Sequence, residues 1–212
     1  MEIRLNKIEP LPLQGACAGS EVWNQDHCFS QDSSVLVKSQ SGKGKTTFLS
    51  VLYGLRKDYQ GQVYFDGADI RECGHSRWSH LRQDRLAIVF QDLQLFSDLT
   101  AWQNADLKNR LTLRKNKAEI ERMFETLGIA HRMSEPVAKL SLGQKQRVAI
   151  IRALCQPFAF LLLDEPFSHL DPENARKAAA LIREERQQQG AGLIMTSVQD
   201  DSGLTCQTVL NL

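Results

Sequence analysis

The 212-residue sequence predicts an α/β protein with a parallel central sheet, and three observations carry that prediction. Compact apolar runs of strand length recur along the chain: SVLVK (Ser34–Lys38), LAIVF (Leu86–Phe90), FAFLLL (Phe158–Leu163) and GLIMT (Gly192–Thr196). Such near-continuous runs suit strands covered on both faces. Helical periodicity fills the intervals, and strands alternating with helices build a parallel sheet. A glycine-rich loop, SQSGKGKTT (Ser39–Thr47), joins the first of these strands to a helix.

Taken in order, Glu2–Phe29 holds short strand-like pieces broken by Pro10, Pro12, Gly15 and Gly19, and reads as an irregular β edge. Beyond the glycine loop, Phe48, Leu49, Val51, Leu52 and Leu55 keep helical spacing. Gln62–Phe65 followed by Asp66-Gly67 reads as a strand and a tight turn. From Gln91 to about Leu140 the texture is helical. Ile120, Met123, Phe124 and Leu127 share one face there, and Gly128 is placed as a stop. Gln144–Cys155 reads as a helix and Phe158–Leu163 as a central strand. Asp171 caps a helix that opens with Pro172 and ends near Gly190.

Hydrophobic content of 42% and charged content of 24% are ordinary globular values, so one domain over residues 1–212 needs neither disulfides nor structural metal. A net charge of +1 gives no basic excess, and no nucleic-acid partner is expected. Cys17, Cys28, Cys73, Cys155 and Cys206 are scattered without a C-x-x-C pair, and read as plain buried thiols in a reducing compartment. No apolar run follows MEIRLN, so no secretory signal is expected. The longest uncharged apolar stretch, Ala153–Leu163, is shorter than the roughly 20 residues a membrane helix takes. A partner would have to supply any span.

The loop residues Ser39, Gln40, Ser41, Gly42, Lys43, Gly44, Lys45, Thr46 and Thr47 match the phosphate-loop pattern G-x-x-x-x-G-K-S/T, with Ser39 in place of the first glycine. Small residues let backbone N–H groups curl around phosphate oxygens, and the following helix points its positive end at them. Lys45 can reach the β and γ phosphates of ATP, and the Thr46 hydroxyl can ligate Mg²⁺. The plainer reading is a serine-glycine turn ahead of a helix. Position after a buried strand favours the phosphate site, and Ser39 fits it if its φ is negative. FAFLLLDEP (Phe158–Pro166) ends a hydrophobic strand in Asp164, beside the loop, where the carboxylate can hold the Mg²⁺ shell. Glu165, one residue on, can polarise the attacking water as general base.

In this order and spacing, the phosphate loop, LSLGQKQR (Leu140–Arg147) and LLLDEPFSHLD (Leu161–Asp171) resemble the ATPases of ATP-binding cassette (ABC) transporters over nearly the whole chain. The resemblance implies a P-loop NTPase (RecA-like) core with an N-terminal antiparallel β subdomain and a helical subdomain inserted at approximately 92–144. It implies that two subunits close around Mg-ATP, with Ser141, Gly143 and Gln144 capping the γ-phosphate on the opposite subunit. Gln91 corresponds to the glutamine that contacts Mg²⁺ and the water and relays nucleotide state, and Ser168–Asp171 to a loop at the dimer interface. LRQDRLAIVFQDLQLFSDLTAWQN (Leu81–Asn104) looks most like the lipoprotein-release, macrolide-export and cell-division branch. On this reading the chain is cytoplasmic, peripheral on the inner face of the cell membrane, and drives a separate membrane permease. It would do so as a homodimer or as a heterodimer with another ABC ATPase. The alternative is an ATP-sensing interaction module with negligible hydrolysis.

Three departures from the family pattern accompany Ser39. Leu142 stands where the signature usually has glycine, adding bulk and disfavouring a positive φ. The switch histidine is missing: Val198 holds its spacing, Ser197 and Gln199 flank it, and His169 is the last histidine in the chain. Neither flanking residue can carry a proton charge as imidazole does, so hydrolysis is expected to be slow. No aromatic residue occurs from Met1 to Val22 to stack on adenine. Trp23 comes nearest, at a spacing that better suits strand packing. His27, His75, His80 and His131 fit no ligand or triad spacing and read as surface or packing residues.

Overall fold

A computed structural model describes the chain apart from residues 16–18, 41 and 199–202. The predicted parallel sheet has five strands, in the spatial order β6 (Leu86–Val89), β7 (Phe160–Asp164), β8 (Gly192–Ser197), β3 (Ser34–Lys38) and β9 (Thr208–Asn211). Alternate side chains of its strands enter two different cores. Leu36, Leu161, Leu163, Leu193 and Met195 pack on one face, while Val35, Val37, Phe160, Leu162 and Ile194 pack on the other. The register pairs Lys38 with Ser197 and Asp164 with Thr196. The ends of β3, β7 and β8 therefore emerge at one carboxyl edge, where open α/β sheets place their sites.

The N-terminal strand differs from its predicted form. β1 (Glu2–Pro10) is continuous and interior to a second, antiparallel sheet of order β2 (Asp26–Ser30), β1, β4 (Tyr59–Phe65) and β5 (Ala68–Asp69). Its alternation is hidden by a bulge between Asn6 and Glu9, where Lys7 takes φ 45°. Ile3 and Leu5 are buried before the bulge and Ile8 after it, so the pattern slips by one residue. The Asp66-Gly67 turn forms as predicted, with φ 49° and 80° matching the twist of the hairpin it closes.

Helix α1 (Lys45–Leu52) leaves the glycine loop. Next come the short α2 (His75–His80) and a π-helical turn at Leu81–Arg85, neither of which has a clear sequence signal. Thr100 with Gln103, Asn116 with Glu119, and Ser141 with Gln144 form reciprocal capping boxes that start α3 (Ala101–Thr112), α4 (Lys117–Thr126) and α5 (Leu142–Leu154). Ile120, Met123, Phe124 and Leu127 are buried as predicted, and Gly128 turns the chain at φ 66°. Asp171 accepts from the Asn174 N–H to cap α6 (Pro172–Gln189), and Gly190 ends it at φ 57°.

The described cysteines are all free. Cys73 and Cys155 are buried, Cys206 is partly so, and Cys28 is exposed, against the expectation of buried thiols; Cys17 lies outside the described residues. Burial pushes the Cys155 thiol up to about 12, leaving it inert. Among the described residues no helix is long and apolar enough to cross a membrane.

One buried ion pair ties α6 to the α3–α4 connection. Lys115 Nζ donates to Glu185 Oε1 at 2.8 Å, and the two side chains are 6% and 5% exposed. Asn109 fixes the Lys115 backbone from both sides, accepting its N–H and donating to its carbonyl. Lys115 also has Glu119 Oε1 at 3.6 Å, so removing Glu185 leaves it one partner, whereas removing Lys115 leaves the Glu185 carboxylate buried without its cation. Lys115→Met is expected to lose about 3–5 kcal/mol of stability in urea unfolding, and Lys115→Met with Glu185→Leu together far less.

Candidate functional site

The loop after β3 wraps around one side chain. Lys45 is buried, and its Nζ donates to the carbonyls of Ser39 at 2.7 Å and Gln40 at 3.1 Å, with Glu165 Oε1 at 3.3 Å. Ser39 stays out of the left-handed region, so its β-carbon costs nothing there. Gly44 cannot be replaced so freely. It sits at φ 101°, and a β-carbon would come within 2.7 Å of Leu13 and 3.2 Å of Trp23. Lys43 is exposed, and Ser41 lies outside the described residues. Leu13, Gly42, Gly44, Lys45, Thr46, Thr47, Gln91 and Glu165 line a hollow of about 220 Å³.

Thr46 Oγ1 donates to Gln91 Oε1 at 3.1 Å, bridging α1 to the segment after β6. Asp164 is buried at the end of β7, where its Oδ1 accepts from Thr196 Oγ1 at 2.6 Å. Burial pushes the Asp164 carboxyl up; hydrogen bonds from Thr196 and Thr46 oppose this, Glu165 adds to it, and Lys45 opposes it. Thr46, Gln91 and Asp164 thus offer a hydroxyl, an amide oxygen and a desolvated carboxylate, an all-oxygen set that fits Mg²⁺. Thr196 was not among the predicted site residues. Its signal was present in the sequence as the polar end of the apolar strand GLIMT. Glu165 adopts φ 47°, a conformation that costs a non-glycine residue on the order of 1–3 kcal/mol, and its N–H donates to the Thr196 carbonyl at 3.2 Å.

Ser141, Gly143 and Gln144 do not line this hollow. Ser141 caps α5, and Gln144 Oε1 accepts the Ser141 N–H at 2.9 Å. A β-carbon on Gly143 would lie 2.8 Å from the His169 carbonyl, so the glycine lets the 168–171 loop pass close by. Leu142 opens α5 without a positive φ, which removes the expected backbone conflict, and its side chain is 51% exposed.

Trp23 is a core residue. It packs edge-on against Phe48 with ring centroids 5.8 Å apart, below Gly44, and no base can stack on it there. Leu13 is instead the apolar side chain facing the hollow. Val198 is exposed, Ser197 is half-buried, and Gln199 lies outside the described residues. His27 stacks on Phe29, and His75, His80, His131 and His169 are exposed. Among the described residues, no group of three or more histidine, cysteine, aspartate or glutamate side chains is placed to hold a metal ion.

Comparison with known proteins gives one family. The model of the ABC transporter family matches residues 24–168. An uncharacterized ABC transporter ATP-binding protein of Mycobacterium tuberculosis is 35% identical over 155 residues, covering 72% of this chain and 47% of that protein. The chain thus spans about half the length of that relative. The lipoprotein-releasing system ATP-binding protein of Saccharophagus degradans is 33% identical over 157 residues, 73% of this chain and 69% of that protein. A bacterial ABC transporter cassette solved as a dimer superposes with a TM-score of 0.82 at 25% identity, covering 99% of this chain and 94% of that one.

Two predictions follow from the site's packing. A raised folded-state pKa means that Asp164 favours folding when protonated, and that this contribution is lost as pH rises through the raised value. In thermal melts with chelator, Asp164→Asn should therefore melt higher than the parent at neutral pH, with the gain shrinking as pH falls into the carboxylate range. Trp23→Ala should cost about 3–5 kcal/mol in urea unfolding. Trp23→Leu should bind a fluorescent ATP analogue as the parent does, and a selective loss of affinity would restore the stacking role.

Proposed function

The chain belongs to the ABC transporter family, and from that premise we propose that it binds Mg-ATP, dimerises around it and hydrolyses it to drive a separate membrane permease. The observation that carries this reading is the convergence of Lys45, Thr46, Gln91 and Glu165 on one hollow, with Asp164 beside it. The names of the matched relatives, ATP-binding proteins of ABC transporters, and the dimeric state of the solved cassette support it.

Each residue has a distinct part. Lys45 exchanges the Ser39 and Gln40 carbonyls and the Glu165 carboxylate for β- and γ-phosphate oxygens, while the N–H groups at the start of α1 face the same anion. Thr46 Oγ1, Gln91 Oε1 and Asp164 would hold Mg²⁺, which neutralises charge on the phosphate oxygens. Glu165, released from Lys45, accepts the proton of the attacking water at its carboxylate. Ser141, Gly143 and Gln144 act across the dimer, on the nucleotide of the opposite subunit. Their separation from the hollow within one chain supports that arrangement. The turnover is slow, because Val198 offers no imidazole to the γ-phosphate. The helical segment 92–144 passes the closing motion to the permease at the inner face of the membrane.

Purified protein should hydrolyse ATP faster than a Lys45→Ala control. A rate equal to that control would favour an ATP sensor without turnover. Glu165→Gln should lower the rate by about 10²–10⁴-fold and accumulate an ATP-bound dimer in size exclusion. A variant that stays monomeric with ATP, beside a normally active parent, would overturn the in-trans site.

A further inference from the structure

We propose that Arg152 is a positioning residue that clamps the turn after Gln91 onto α5, so that Gln91 and the Ser141–Gln144 segment move as one body. The inference rests on the magnesium-nucleotide role of Gln91 proposed above and adds the device that holds that residue in place.

Arg152 lies in the last turn of α5 and is 8% exposed. Its guanidinium donates to two successive carbonyls, Leu93 at 2.6 Å and Gln94 at 2.6 Å. Among the described residues, no carboxylate lies within ion-pair distance of it. A buried cation without an anion is a poor device for packing alone, because its desolvation is offset only by carbonyl dipoles.

The two carbonyls belong to strained residues. Leu93 takes φ 61° and Gln94 φ 45°, two consecutive non-glycine residues in the left-handed region. Tight local bonds close the turn, from Leu93 N–H to the Phe90 carbonyl at 3.0 Å and from Gln94 N–H to the Asp92 carbonyl at 2.8 Å. The Leu93 side chain is buried in the core that also holds Ala149 and Ala153 of α5. Gln91, within the same turn, accepts from Thr46 at the start of α1. At the other end of α5, roughly 16 Å away at 1.5 Å per residue, Ser141 caps the helix. A rigid helix therefore carries the clamp at one end and the residues offered to the opposite subunit at the other. Arginine suits the clamp because its planar fork reaches two carbonyls at once, whereas lysine presents a single point charge.

The test uses the full chain with Arg152→Lys, Gln91→Ala, their combination, and Arg152→Lys with Gln94→Gly. Three quantities are read: hydrogen exchange over residues 91–96, and affinity for a fluorescent ATP analogue with and without Mg²⁺. Arg152→Lys should exchange faster over 91–96 and lose about tenfold of the magnesium-dependent affinity, with magnesium-free affinity unchanged. It should add nothing in the Gln91→Ala background. Adding Gln94→Gly, which accepts the left-handed φ without a β-carbon, should recover part of the lost protection. Equal losses with and without Mg²⁺, or full additivity with Gln91→Ala, would make Arg152 a purely structural residue and overturn the proposal. If the parent itself shows no magnesium-dependent binding, the reading of the site fails. Exchange over 91–96 still decides the clamp in that case, and unchanged exchange in Arg152→Lys overturns it.

Discussion

A buried ammonium group must be surrounded by oxygen, and the arrangement around Lys45 follows from that need. Two of its oxygens are backbone carbonyls, which requires the loop at Ser39 and Gln40 to fold back over the side chain. That reversal is possible because Gly42 and Gly44 take left-handed dihedrals, and a β-carbon on Gly44 would also press on Leu13 and Trp23. The third oxygen comes from Glu165, on a different strand, and it arrives there only because β7 ends at the same edge as β3. All three oxygens hold Lys45 where phosphate oxygens can replace them. On the proposed function, this cage of protein acceptors would stand in for the anion.

The same edge explains Asp164. A carboxylate at the end of a buried apolar strand is desolvated by its own position, and its raised pKa records that cost. Thr196, one strand across in register, offsets part of it with a short hydrogen bond. A cation beside Asp164 would relieve the remainder, so the carboxylate's poor solvation would suit it to the metal-ligand role proposed for it.

Much of this was legible in the sequence wherever one local signal dominated. The strands SVLVK, FAFLLL and GLIMT, the helix face of Ile120, Met123, Phe124 and Leu127, and the Asp171 and Gly190 caps all lie where their patterns placed them. Legibility failed where a residue's meaning depends on a neighbour distant in sequence. The β1 alternation is broken by a bulge that only its pairing with β4 defines. Thr196 matters because of the strand beside it, and Trp23 is fixed by Phe48 and Gly44 rather than by any motif of its own. Arg152 reads as one more helical cation until the carbonyls it meets are known.

The departures from the family pattern sort by backbone demand. Ser39 and Leu142 replace glycines at positions without a positive φ, where a side chain costs no strain. Glycine remains at 42 and 44, which are left-handed, and at 143, where the His169 carbonyl leaves no space. Backbone strain is also present around the site, at Glu165, Leu93 and Gln94. Strain of that kind persists only when surrounding contacts over-determine it. Here the contacts are Thr196 and Lys45 for Glu165, and Arg152 for the other two. The described loop residues thus keep the backbone conformations that the proposed phosphate site needs. Leu13 stands at the hollow where the family pattern expects an aromatic residue, and Val198 stands at the spacing of the histidine.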